Sequence, residues 1–239
     1  MSKKEGNFKE QFKQALLSTA KVISDDYKLS ANKINKDQNP KKNNFFEISN
    51  LSNKDDFVRL RAETDSEAVK KKFSDSKIFN KNLPKNSSCK SLYTIAEKTR
   101  YEILGGKMLK GIEKNFKENY TQIVNHKQKD QLKNKEDVSV KEAFELYMLK
   151  NFHKIKLNSL TSKMLSFWEK DFEQSINKHK KFLQENLEDQ NNYSLRFSKI
   201  LDEMDIFQNE KNREENDKNE DQGQDNPSND DQNKDTEDN

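Results

Sequence analysis

The stretch EKTRYEILGGKMLKGIEKNF, Glu97 to Phe116, decides the fold, because three of the chain's five glycines, Gly105, Gly106 and Gly111, fall within seven residues there. A phosphate-cradling loop, a turn between helices and a helix face open to a second backbone would each use glycine for a different physical reason. The phosphate reading fails first. A Walker A loop closes on Gly-Lys-Ser/Thr, whereas Gly106-Lys107 is followed by Met108; the dinucleotide pattern G-x-G-x-x-G is absent, and no strand pattern precedes the glycines. Leu104, Met108, Ile112 and Phe116 run at spacing four straight through the cluster, with Tyr93, Ala96, Glu97 and Arg100 in phase before them. That spacing predicts one helix from about Ser88 to Tyr120, with the glycines as contact points. Three interior glycines cost about 3 kcal/mol relative to alanine if the effects add, so a compensating contact is required. The competing reading ends the helix at Gly105-Gly106, with Gly105 left-handed and a second helix opening near Lys107.

Apolar residues recur three and four apart along most of the remaining chain, so the fold class is mainly α. A first helix spans roughly Asn7 to Asp25. Tyr27/Leu29 and Phe46/Ile48 alternate around Pro40 as a small β-hairpin near the N-terminus would. Further helices are expected at Lys54 to Phe73, at Leu160 to Leu187 and at Asn192 to Phe207, the last two joined by EDQNN. Ser87 or Ser88 supplies a cap for the glycine-bearing helix. After the polar break QKDQLKNKED, Ser139 with Glu142 three residues on forms a capping box before AFELYMLKNFHKI. The helical domain covers 1–207. Residues 208–239 contain no aliphatic or aromatic side chain and read as a disordered acidic tail.

Only 30% of the 239 residues are hydrophobic and 36% are charged, and the formal net charge of +3 conceals two unlike parts. Residues 208–239 carry 12 acidic and 4 basic side chains, leaving 41 basic against 30 acidic before them. Such an acidic arm serves as a solubilising or self-screening linker, or binds a partner. The lysines of the body are interleaved with glutamates rather than lining one face, and no helix-turn-helix, zinc knuckle or RNP-like sequence is present, so specific nucleic-acid binding is not expected. No run of 18 apolar residues occurs, and the N-terminus is unlike a signal peptide; a soluble cytoplasmic protein without membrane contact is expected.

No catalytic constellation is legible. His126, His153 and His179 stand far apart in sequence and are expected at the surface or the core edge; no H-E-x-x-H or G-x-S-x-G occurs. The single cysteine, Cys89, is placed for burial against Leu92 and Tyr93. Glu97 and Arg100, three apart on a helix, read as an ordinary surface ion pair.

With its neighbours, the glycine stretch resembles the T subunit family of aerobic, ATP-dependent cobaltochelatases, known as CobT. The matching positions are Glu97, Arg100, Glu102, Leu104, Gly105, Met108, Gly111 and Asn115; Lys98, Thr99, Tyr101, Ile103 and Phe116 depart from the pattern. RAETDS (Arg61 to Ser66) is similar to a second family element, with Glu63-Thr64 departing from it. Trp168, EDQ (Glu188 to Gln190) and LRFSKILDEMD before the acidic segment are weaker echoes. The resemblance implies a non-catalytic scaffold or coupling subunit of an oligomeric complex. Its partners would be an AAA+ ATPase (CobS-like) and a large corrin-binding subunit (CobN-like) that inserts Co2+. ATP, Mg and Co2+ belong to the complex, and no cofactor, metal or catalytic residue is expected in this chain. Glu97, Arg100, Glu102, Gly105, Met108, Gly111 and Asn115 become the candidate partner contacts. The family's C-terminal von Willebrand factor A domain, with its Asp-x-Ser-x-Ser loop, has no counterpart here, so an N-terminal region is expected. The alternative is a free-standing adaptor for an AAA+ ATPase unrelated to cobalt insertion.

Overall fold

The computed structural model describes residues 3–29 and 53–204. Among these residues the secondary structure is helical, without strands. Tyr27 and Leu29 lie in a turn after the first helix, and the second arm of the expected hairpin, Phe46/Ile48, falls outside the described residues, as does segment 208–239. No helix among the described residues is long and apolar enough to cross a membrane.

Helix α1 (Lys3–Ser24) packs along α2 (Lys54–Phe73). Asn53 caps α2 by accepting from the Asp56 amide, while the Asp56 carboxylate accepts from the Asn53 amide. These two bonds satisfy backbone donors that the first turn leaves free. After the short α3 (Ser76–Lys81) come α4 (Ser87–Met108) and α5 (Lys110–His126). The cap of α4 is Asn86, whose side chain accepts from the Cys89 amide, rather than either serine expected for that role.

The glycine-bearing stretch is neither one helix nor a break at Gly105-Gly106. Leu109 alone is extended (φ −138, ψ 117), and no glycine has a positive φ among the described residues. The Leu109 amide still bonds to the Gly105 carbonyl, while its own carbonyl accepts from Ile112, so one residue closes α4 and opens α5. α5 then doubles back along α4. The spacing-four stripe conceals this corner because Leu104, Ile112 and Phe116 are buried on both sides of it.

The remaining helices are α6 (Val140–Asn151), α7 (Ser159–Ser166), α8 (Glu169–Ile176), α9 (Lys180–Glu185) and α10 (Gln190–Asp202). Ser139 caps α6 from the expected position. The single helix expected over Leu160 to Leu187 is instead three. The first interruption lies at Phe167 and Trp168, where the indole nitrogen donates to the Val138 carbonyl (2.9 Å) and ties the chain to the loop before α6. A 3-10 turn at Asn177–His179 makes the second.

At the centre, α4 is packed by α2, α5, α6 and α10. So enclosed, α4 keeps only a narrow solvent stripe through Lys90, Thr94 and Lys98, and the polar side chains on its other faces must find partners inside. That requirement produces the site.

Candidate functional site

Glu97 and Arg100 project from α4 into the interior, 3% and 0% exposed, and so are not the surface pair that their spacing suggests. The guanidinium donates from Nε and Nη2 to the two carboxylate oxygens (2.9 and 2.8 Å). Its other donors reach the Leu187 carbonyl (2.8 Å) and the Phe73 carbonyl (2.5 Å). These are the last residue of α2 and a residue of the turn before α10. Glu97 also accepts from Ser74 (2.5 Å) and from the Gln190 amide nitrogen (2.9 Å). Gln190 takes the Asp75 amide on its carbonyl oxygen (2.7 Å) and donates to the Asp75 carbonyl (3.1 Å). Every polar atom of the pair is thereby used, as a buried charge requires. A shallow depression lined by Ser74, Asp75, Glu188, Asp189 and Gln190 lies beside this network.

About one and a half turns along α4 from Glu97, Glu102 (2% exposed) organises a second cluster. Ser66 of α2 and Tyr120 of α5 each donate to it at 2.6 Å. Lys98 lies 3.8 Å away and over the Tyr120 ring. His153 brings Nε2 to 3.3 Å from Glu102, not aligned as a hydrogen bond. Burial by itself would push the Glu102 pKa up; contacts with His153, Lys98 and Ser66 outweigh it and hold the carboxyl below its ordinary value. Beside this cluster Asn115 of α5 donates to Asp65 of α2 (2.6 Å), whose pKa burial pushes up against that bond.

Gly105 is where α2 meets α4. A Cβ added there would collide with Cγ1 of Val69 and lie 3.1 Å from its Cβ. At Gly106 an added Cβ would press on Glu113 of α5 at 3.2 Å, and at Gly111 it would meet nothing within 4 Å. The compensating contact anticipated for the glycines therefore exists at Gly105 and, more loosely, at Gly106.

Of the seven candidate contact residues, Glu97, Arg100, Glu102 and Gly105 are buried and Asn115 is half-buried, and their contacts lock α2, α4, α5 and α10 together. Met108 (38% exposed) and Gly111 lie outside at the Leu109 corner, beside the 46% exposed Leu109. Asp65, Ser66 and Gln190 belong to stretches flagged by resemblance. Tyr120 and His153 carry no sequence signal, since a lone tyrosine and a lone histidine look alike in a core or on a surface. His126 is exposed, and His179 stands against Arg196. Cys89 is buried, as expected. Among the described residues no three His, Cys, Asp or Glu side chains group as a metal-binding set.

Residues 7–239 match a family model described as cobalamin biosynthesis protein CobT. No curated protein and no solved structure matches the chain.

Proposed function

The chain belongs to the CobT family of cobalamin biosynthesis proteins, and from this premise we propose that its folded region is the non-catalytic coupling element of an ATP-dependent cobaltochelatase, with Co2+ and the corrin as substrates of the whole complex. The observation that carries this reading is the way the motif divides. Its charged and amide residues are consumed inside, where they make a rigid four-helix joint. Met108, Leu109 and Gly111 stand at an exposed helix corner, and among the described residues a Cβ added at Gly111 would meet nothing within 4 Å. A rigid joint with an exposed apolar corner suits a part that transmits the motion of an ATPase to a corrin-binding subunit. The corner is the contact we assign to that machinery.

Met108→Glu and Gly111→Leu test it. Both variants keep the melting temperature of the parent within a few degrees, because exposed positions away from special features change stability little. Each loses co-purification with the AAA+ ATPase subunit or with the corrin-binding subunit from the same genome, and cobalt insertion by the reconstituted mixture falls. Intact assembly and insertion with both variants would remove the corner from the proposal. Cobalt insertion unchanged on deleting the gene would overturn the chelatase reading in favour of an adaptor with another target.

A further inference from the structure

We propose that the lysine surface formed by α3 and the start of α4 is the docking surface of the chain's own acidic segment, 208–239. Between Ser76 and Ala96 the sequence has four lysines, Lys77, Lys81, Lys85 and Lys90, and no aspartate or glutamate. All four are exposed, and Lys77 and Lys81 share one face of α3 at spacing four.

Lysines on either side are paired: Lys70 with Glu67, Lys71 with Asp26, Lys72 with Asp25, and Lys98 with Glu102. Among the described residues the ammonium groups of the intervening four have no carboxylate partner. The first turn of α4 likewise holds no acidic residue, and its cap is a neutral asparagine, so the positive end of the helix dipole adds to the lysine charge. Asp75, Glu188 and Asp189 line the depression at the start of α3, but none of them forms an ion pair with the four lysines, so the surface keeps lysine charge that no ion pair neutralises.

Where the chain leaves the described residues identifies the occupant. Cys89 of α4 donates its thiol to the Leu201 carbonyl (3.7 Å), and Met204 is 1% exposed, so the path toward residue 205 starts beside the opening turns of α4. Segment 208–239 then brings 12 acidic against 4 basic side chains. An extended chain of its length reaches on the order of 100 Å, and tethering so close to the patch gives an effective concentration of roughly millimolar. A polyanion attached next to such a basic surface settles on it through many weak, screened attractions, with no fixed geometry required. This inference does not depend on the chelatase reading.

A spin label on Ser228→Cys in the full chain, with buried Cys89 left in place, reports the contact through broadening of amide signals. Residues 76–91 lose most of their intensity at low ionic strength. They recover at roughly 0.5 M NaCl, where the screening length is only about 4 Å. The same amides recover in the variant Lys77→Gln/Lys81→Gln/Lys85→Gln/Lys90→Gln, whose four sites are exposed and whose circular dichroism stays that of the parent. Broadening centred on α1, α2 or α5, or unchanged in the quadruple variant, overturns the proposal. So does broadening of the same size when labelled chains are mixed with isotope-enriched unlabelled ones, since that would place the segment on a second copy.

Discussion

Adding one carbon at Gly105 and one at Gly111 has opposite consequences. Val69 is fully buried and β-branched, with one strongly preferred rotamer in a helix, so it yields to a Cβ at Gly105 only at a cost. Gly105→Ala should destabilise by about 1–3 kcal/mol through overpacking. Val69→Ala in the same chain should return part of that loss, a coupling that a double-mutant cycle in urea reads directly. Gly111→Ala meets open space in a helical segment and should stabilise by a few tenths to about 1 kcal/mol. Equal effects at the two positions would refute the contact assigned to Gly105. Glu102 makes the corresponding argument for charge. Its folded pKa lies below its ordinary 4.5, so its stabilisation is complete above that value and is lost as pH falls through the lower folded one. Asp65 runs the other way: its raised pKa favours the protonated form, and its contribution declines as pH rises through the folded value. Urea midpoints followed between about pH 3 and 7 should therefore fall less steeply on the acid side for Glu102→Gln than for the parent. An unaltered acid limb would mean that Glu102 gains nothing from its neighbours.

Among the elements, α4 concentrates both the stability and the difficulty of reading the sequence. Arg100→Met leaves the Glu97 carboxylate buried without its counter-charge and should cost about 3–5 kcal/mol. Arg59→Met, which removes a half-exposed partner of Glu63 on α2, should cost no more than about 1 kcal/mol. Denaturant midpoints of the two variants decide between a structural and a superficial role for Arg100. At spacing three the two kinds of pair look identical in sequence. What separates them is that α4 is enclosed by four helices, and that enclosure is set by chain segments up to about residue 200. Local signals were legible: α2 begins and ends where its periodicity does, and Ser139 caps α6. The corner at Leu109 was not, since leucine carries no turn chemistry and the apolar stripe continues across it. Nor were the interruptions after Ser166 and Ile176, the first of which comes with a long-range bond from Trp168 to the Val138 carbonyl. For the candidate site, the motif named residues that the fold divides between interior and surface, and the sequence could not say which of them face inward.

Across the molecule, attachment is uneven. Phe12, Leu16, Phe57 and Leu60 form a small apolar cluster apart from the main core, which α1 joins, among the described residues, through Ala20 and Ile23. Amides in the first half of α1 should exchange with solvent faster than those of α4, whose opening requires loss of the whole core; equal protection in a hydrogen-exchange series would contradict this division. The bonds around Arg100 carry a different consequence. Gln190 meets Asp75 across 115 positions of chain, and the Leu187 carbonyl meets Arg100 across 87. During synthesis Phe73 and Ser74 are in place before α4, but Leu187 and Gln190 are not, so the groups that these two later satisfy must stay hydrated until residues 187–190 have emerged. Distant contacts of this kind are paid for in loop-closure entropy and form late. A chain stopped short of Gln190 should therefore leave the charged joint partly bound to water, because the groups that α10 brings to it would be missing.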